Sequence, residues 1–411
     1  MNGVEGAAYN RDFFKKHLYF IFLFFILLSP FVNNLNGLTM RFYDISIVGP
    51  LFYGGSLLLF GIFGLILISP FRQPLFLLIC YGAVVWYLLQ FSYGLVDIRS
   101  IQHYVKFFFP FVIYTCLKYS KLSDKNLIRT EKVWQAAVLI YSSFILLSFV
   151  IGFKYYTGKG YYGFIHGIND LTFLLLLGFY SVMTKSSLTG KIVYVVSVLL
   201  TLSKTIFLFV PLLVFYGLKY LKGGMRREKT FFLRSTSIFV LLLVTVFASR
   251  IFISYFGDLL VAHRLDSVER AMSTYEDNPD LIYNFITFGR YRYLKMMIDR
   301  IDEKSYLEIF FGSGIIGATK IISGKVGIEM DPPDAFNIFG ILGFLIVIYF
   351  YYVKPMASKY APREFKFYYI MCIIYSVLGG HLIMNPISNT FYAIYLIILE
   401  RGLAGRKRIN A

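Results

Sequence analysis

The chain is 411 residues long, 57% hydrophobic and 19% aromatic, with 16% charged residues and a formal net charge of +18. So much apolar side chain excludes an ordinary soluble enzyme or a disordered tail, because roughly 20 such residues in a row suffice to cross a bilayer. The basic excess lies between apolar runs rather than along a stripe on a soluble fold, which excludes nucleic acid as the partner.

Apolar runs predict spans over 18–35, 45–69, 75–95, 101–117, 134–153 and 171–184. Further spans are expected over 192–202, 206–221, 235–254, 336–353, 367–384 and 390–400. The fold class is therefore an all-α polytopic membrane protein of about twelve transmembrane helices. The first run follows Arg11, Lys15 and Lys16, exceeds the length of a signal-peptide core and precedes no small-residue cleavage site, so it is expected to remain as a helix. The stretch 192–221 could be one tilted helix or two short ones meeting at Ser203-Lys204-Thr205. Lys and Arg collect in cytoplasmic loops, and Lys222, Arg226, Arg227, Lys229 and Arg234 follow that stretch. Two helices keep this cluster inside with 118–132, 354–366 and the tail 401–408, and place Lys204 at the outer surface. Both termini are then cytoplasmic, and the inner segments carry the chain's entire net charge of +18. Cys80, Cys116 and Cys372 fall within spans, so no disulfide framework is expected outside.

Three regions follow: 1–254 with nine spans, a large outer loop over 255–335, and 336–411 with three spans and a cytoplasmic tail. Within the loop, apolar residues recur at 288, 291, 294, 297, 298 and 301, the period of an amphipathic helix. Arg290 falls on that apolar face, either snorkelling to headgroups or serving as a buried anion clamp. Gly312-Ser313-Gly314 through Gly317 matches G-x-G-x-x-G without the βαβ context of a nucleotide site, leaving backbone flexibility or a turn whose N–H groups meet a phosphate. Glu329, Asp331 and Asp334 cluster before the tenth span as solvated acids or as a general base.

Polar groups within spans are expensive and mark function or packing. Lys204 stands at a helix break that opens a funnel from the outer face, with snorkelling as the plain reading. His381, with Asn385 and Asn389 following, is a packing hydrogen-bonder or a catalytic group. His166, Asn169 and Asp170 open the sixth span, where Asn169 and Asp170 suit a helix N-cap. Tyr161 and Tyr162 belong to an aromatic, basic stretch that suits either an interface belt or stacking on sugar faces. No paired His at i, i+4, no tight Asp-x-Asp, no G-x-S-x-G and no Walker loop is present, so neither a metal nor a cofactor is expected.

The order of these elements resembles the O-antigen polymerase and O-antigen ligase superfamily of bacterial polysaccharide enzymes over roughly residues 160–345. The resemblance rests on Gly163-Phe164 with Asn169 at a span start, the Ser203-Lys204-Thr205 break, Gly289-Arg290 in the loop, and Phe311-Gly312-Ser313-Gly314. Asn337, Gly340 and Gly343 leading into the next span complete it. Asp334-Ala335-Phe336-Asn337 stands where ligases commonly carry His-Asn, and Leu294 where an aromatic is usual, which places polymerase ahead of ligase.

The resemblance implies transfer of an undecaprenyl-diphosphate-linked glycan onto a sugar hydroxyl at the outer face of the bacterial cytoplasmic membrane, without metal. It also implies that Arg290, Lys204 and Arg264 hold the diphosphate, and that Glu329, Asp331, Asp334 or His381 deprotonates the acceptor. His166, Asn169, Tyr161 and Tyr162 would line the sugar site. Partners would be the lipid-linked oligosaccharide, membrane lipids and a chain-length regulator. The alternatives are a ligase-type transferase and, from another class, a flippase or transporter of lipid-linked sugar.

Overall fold

The structure is a computed structural model. It describes residues 2–45, 47–67, 73–96, 101–119, 123–154, 160–165, 167–201, 209, 211–213, 290–321, 328, 330–359, 361, 363–380 and 386–400. These residues are mostly helical, and among them the only extended pairing is an isolated bridge between Tyr162 and Phe164. The predicted eighth and ninth spans lie outside the described residues, apart from 209 and 211–213.

The first seven helices are α1 (Asn2–Tyr43), α2 (Val48–Leu67), α3 (Gln73–Ser92), α4 (Ile101–Tyr119), α5 (Asp124–Val150), α6 (Ile168–Lys185) and α7 (Leu188–Leu200). Each covers a predicted span to within a few residues, except that α1 and α5 begin well before theirs. Helix α1 also continues past residue 35, because neighbouring groups meet its asparagines. Asn33 donates to the Tyr53 hydroxyl at 2.8 Å, and Asn36 accepts the Gly49 N–H at 2.9 Å. Among the described residues, Tyr19–Tyr43 and Asp124–Val150 are long and apolar enough to cross a membrane, and Asp331–Ala357 matches them in length and composition but is interrupted at Gly340. Large apolar side chains such as Phe24, Leu51, Val150 and Tyr349 face outward, as a lipid-facing surface requires.

Proline inside a helix removes an N–H and orphans the carbonyl four residues earlier, a costly vacancy where no water competes. In each of three such helices a side chain fills it. Pro30 frees the Ile26 carbonyl, and Ser29 Oγ donates to it at 2.9 Å. Pro110 frees that of Lys106, and Asn389 Nδ2 donates from the last helix at 3.1 Å. Pro355 follows a π turn in which the Lys354 N–H reaches back five residues to Tyr349, so it frees the carbonyl of Phe350, and Tyr392 Oη donates to it.

The loop contributes α8 (Tyr291–Asp299), α9 (Tyr306–Phe311) and α10 (Gly314–Ile321). Then follow α11 (Asp331–Val347), whose helix continues through a π turn at Ile348–Val353, the short α12 (Lys354–Ala357), α13 (Arg363–Gly379) and α14 (Pro386–Glu400). Helix α11 is not straight. Gly340 has φ 70° and ψ −168°, a conformation reserved for glycine. Ser376 Oγ donates to Asp331 Oδ2 at 2.5 Å and stands 2.8 Å from the Tyr352 hydroxyl. A straight helix would hold residues 331 and 352 roughly 30 Å apart. Both reach one serine, so the segment 331–339 folds back along 341–353. The expected span 336–353 is thus corrected: only the part after Gly340 runs on, and the part before it is a half-helix packed beside it.

Glycine also seats the loop on the bundle. A Cβ on Gly312 would sit 2.1 Å from the Ile338 carbonyl oxygen, and one on Gly340 would sit 2.4 Å from Phe310 backbone atoms. Two helical segments therefore cross backbone to backbone. From α3, Trp86 Nε1 donates to the Phe311 carbonyl at 2.8 Å, and buried Gln90 donates to those of Phe311 and Ile338, the latter at 2.9 Å. The opposite end of the bundle is ionic. Glu400 holds Lys354 at 3.1 Å and Lys118 at 3.2 Å, while Glu131 binds Lys185. Every one of these residues lies in or beside a segment predicted to share one side of the membrane.

Candidate functional site

Three of the predicted site residues, Asn169, Asp331 and Asp334, gather around the fold-back. Asp331 opens α11 and is 1% exposed. Ser376 spends its one proton on Asp331, so Tyr352 must donate to Ser376, giving the directed chain Tyr352 to Ser376 to Asp331. On the same helix, the Tyr375 hydroxyl donates to the Asn169 carbonyl at 3.3 Å and contacts Thr172 Oγ1 at 3.1 Å. Adjacent residues of α13 therefore join Asn169, at the start of α6, to Asp331, at the start of α11. Asp334 Oδ1 accepts the Ile328 N–H at 2.6 Å and Oδ2 accepts the Met330 N–H at 3.2 Å. That carboxylate ties the incoming chain to the first turn of α11, where a negative charge is also favoured by the helix dipole.

Arg290 stands at the N-cap of α8 with helical backbone angles (φ −84°, ψ −21°), which keeps it in register with Leu294 and Met297, four and seven residues on, as the amphipathic reading expects. The predicted helix over 288–301 is realised as Tyr291–Asp299, and the Arg290 carbonyl accepts the first helical N–H groups, from Tyr293 and Leu294. Met297 packs with Ile328 and Met330, bordered by Tyr293, Leu294 and Phe336, while Ile298 faces out. So the stripe is only partly used: Met297 is buried while Ile298 is exposed.

Tyr162 is 3% exposed and keeps its ring inside the fold. Tyr161 is half-buried, with Phe149 edge-on at 5.1 Å and Lys154 Nζ at 4.9 Å from its ring centroid. Helix α6 is capped by Gly167, so Asn169 and Asp170 lie inside its first turn, not at the cap. Lys204, Arg264, His166, Glu329 and His381 lie outside the described residues.

The glycine turn offers its amides to the protein. The N–H groups of Gly312, Ser313, Ile316 and Gly317 donate to the carbonyls of Glu308, Asn337, Leu95 and Ser313. A phosphate nest built from these groups is therefore ruled out, and close backbone crossing explains the glycines at 312 and 314. Among the described residues no group of three or more His, Cys, Asp or Glu gathers.

One residue was missed by sequence reasoning. Lys304 is 9% exposed, and its Nζ donates to Asn337 Oδ1 at 2.9 Å and lies 5.3 Å from the Phe336 ring centroid. Burial pushes its amine down to about 8, against the opposing pull of the Glu308 charge. In the sequence it lies within the polar stretch Asp302-Glu303-Lys304-Ser305, where no periodicity marks it for burial.

No family model matches this chain, and no curated protein or solved structure matches it. Its functional reading therefore rests on its own residues.

Proposed function

We propose that this chain is a bacterial polytopic membrane glycosyltransferase of about twelve spans that polymerises polysaccharide at the outer face of the cytoplasmic membrane. In this reading the loop end of the bundle faces outward and the Glu400–Lys354–Lys118 end faces the cytoplasm, in keeping with the positive-inside rule. The substrate is an undecaprenyl-diphosphate-linked repeat unit. The hydroxyl of a second unit attacks its anomeric carbon, the bond to the diphosphate breaks, and the released proton passes to a base. Arg290, with Lys204 and Arg264, neutralises the leaving diphosphate. Asp331 is the acid best set apart from water among those described, held by Ser376 at the fold-back. The observation that carries the reading is the inward docking of the loop: Lys304, Asp331, Asp334 and Asn337 are all buried at the junction with the membrane helices.

A second reading has its own observation in favour. A helix broken at Gly340 with a buried carboxylate at its tip is an arrangement that transporters use near the membrane midplane. The glycan of a deletion strain separates the two. Single repeat units displayed on the cell surface support the polymerase; repeat units retained inside would replace it with a flippase, and unlinked full-length polymer with a ligase.

A further inference from the structure

Three buried side chains from separate segments meet where the loop joins the folded-back half of α11. Lys304 comes from the turn after α8, Ser313 from the junction of α9 and α10, and Asn337 from α11 itself. Lys304 Nζ donates to Asn337 Oδ1 at 2.9 Å, and the Ser313 N–H donates to the Asn337 carbonyl at 2.9 Å. Asn337 and Ser313 are fully buried, yet among the described residues Asn337 Nδ2 and Ser313 Oγ have no hydrogen-bond partner. Native proteins rarely leave such groups unmet, because each has lost its water and gained nothing in return.

The polarity of these open valences is one-sided. Lysine has no acceptor, Asn337 Oδ1 already accepts from Lys304, and the open donors are an ammonium, an amide NH2 and a hydroxyl, so donors predominate. The oxygens of a neutral sugar also accept from such donors, but only negatively charged oxygens neutralise the buried ammonium as well. A ligand made of negatively charged oxygens answers every open group. Glu308, the carboxylate whose charge acts on Lys304, is already engaged: its Oε2 accepts the Ser305 N–H at 2.9 Å and the Ser305 hydroxyl at 3.0 Å in a capping box. Its charge helps keep Lys304 protonated without closing the cluster.

We propose that Lys304, Asn337 and Ser313 form a phosphoryl-oxygen pocket at the root of the loop. The assignment stands on these contacts and open donors; only its natural occupant, the diphosphate of a lipid carrier, rests on the function proposed above. Phe336 lies under Lys304 and also borders the Met297 cluster.

The full chain, purified in detergent, is melted with and without millimolar inorganic pyrophosphate, and in neutral-lipid nanodiscs with and without polyprenyl phosphate. Either ligand should raise the melting temperature of the wild type. A response to pyrophosphate marks a site open to free phosphate, and a response to the lipid alone marks one reached only from the membrane. Lys304→Met should weaken the apparent affinity at least about tenfold, since it removes a charge-assisted contact. Asn337→Asp, which keeps a partner for Lys304 and so guards against misfolding, should abolish the shift by placing a negative charge in the pocket. Lys320→Met, on the exposed side of α10, should respond as the wild type. The pocket is overturned if neither ligand shifts the wild type, or if Lys304→Met and Asn337→Asp both respond normally. A strain lacking the gene that still makes full-length polymer, with the pyrophosphate shift intact, would sink the polymerase alone.

Discussion

Arg290 and Lys304 show how differently two cations of one loop can be placed. Arg290 sits at a helix N-terminus, where the dipole disfavours a cation and an anionic ligand would relieve the conflict. A guanidinium matches two phosphate oxygens at once, which lysine cannot do. Losing such a contact should cost roughly 2–4 kcal/mol in the transition state, about 30- to 1000-fold in rate. Arg290→Ala should therefore nearly abolish polymer and Arg290→Lys should leave a severe defect, both with normal protein levels, while Arg292→Ala stays mild. Gel analysis of the surface polysaccharide decides this, and an essential Arg292 beside a dispensable Arg290 would reverse the assignment. Lys304 makes a different prediction. Its amine is pushed from 10.5 to about 8 by burial, so the folded chain holds this proton less tightly than the unfolded one. Between those values the unfolded state binds more protons, and stability should rise with pH. Melting curves across that window should show a positive slope in the wild type that is reduced in Lys304→Met. Equal slopes would mean that the ammonium is not desolvated.

The helices are apolar as the composition demands, but their irregularities are held by single polar groups. Asn389 exists on α14 beside a carbonyl that Pro110 leaves open on α4, so the two residues should be coupled. Asn389→Leu should cost about 1–3 kcal/mol by orphaning the Lys106 carbonyl. In a Pro110→Ala background the helix supplies its own N–H, and the same change should cost less. Additive losses in unfolding experiments on the purified protein would show that the pairing is incidental. Gly340 tests the fold-back. Alanine there would need a positive φ and would meet Phe310 backbone at 2.4 Å, so Gly340→Ala should destabilise by at least about 3 kcal/mol. Gly54→Ala, on α2 with nothing within 4 Å of its Cβ position, should be neutral or slightly stabilising. If both glycines tolerate alanine equally, the hairpin at Gly340 is wrong.

Across the whole molecule, the two ends of the bundle differ in kind. One carries the glycine-seated loop and its buried polar groups; the other carries the carboxylates Glu400 and Glu131 with their lysines. Lys118 on α4, Lys354 on α12 and Glu400 on α14 meet although their segments are far apart in sequence, as a shared membrane side requires. Cysteine-accessibility labelling in intact cells should find position 226 protected and position 306, on the exposed face of α9, reactive. Labelling of 226 from outside would invert the topology and remove the loop from the outer face.

Apolar run length and the placement of Lys and Arg made most helices legible, because spanning a bilayer constrains composition locally and α2, α3, α4 and α6 needed no distant partner to be read. The loop acids could be noticed for the same reason: they are polar residues beside an apolar run. What each one does could not be read. Asp334 ties down the chain before α11, Asp331 is drawn inside by Ser376, and Lys304 is buried by Asn337, and all of these depend on the turn at Gly340. That turn looks in sequence like an ordinary small residue in a span, since its positive φ is imposed by the backbone of Phe310 and Gly312 crossing beneath it. Local hydrophobicity determined where the long apolar helices run, but not where α1 and α5 begin or that the segment after 331 breaks at Gly340. Only tertiary packing decided which polar groups are buried together, because burial of a charge depends on partners that come from elsewhere in the chain.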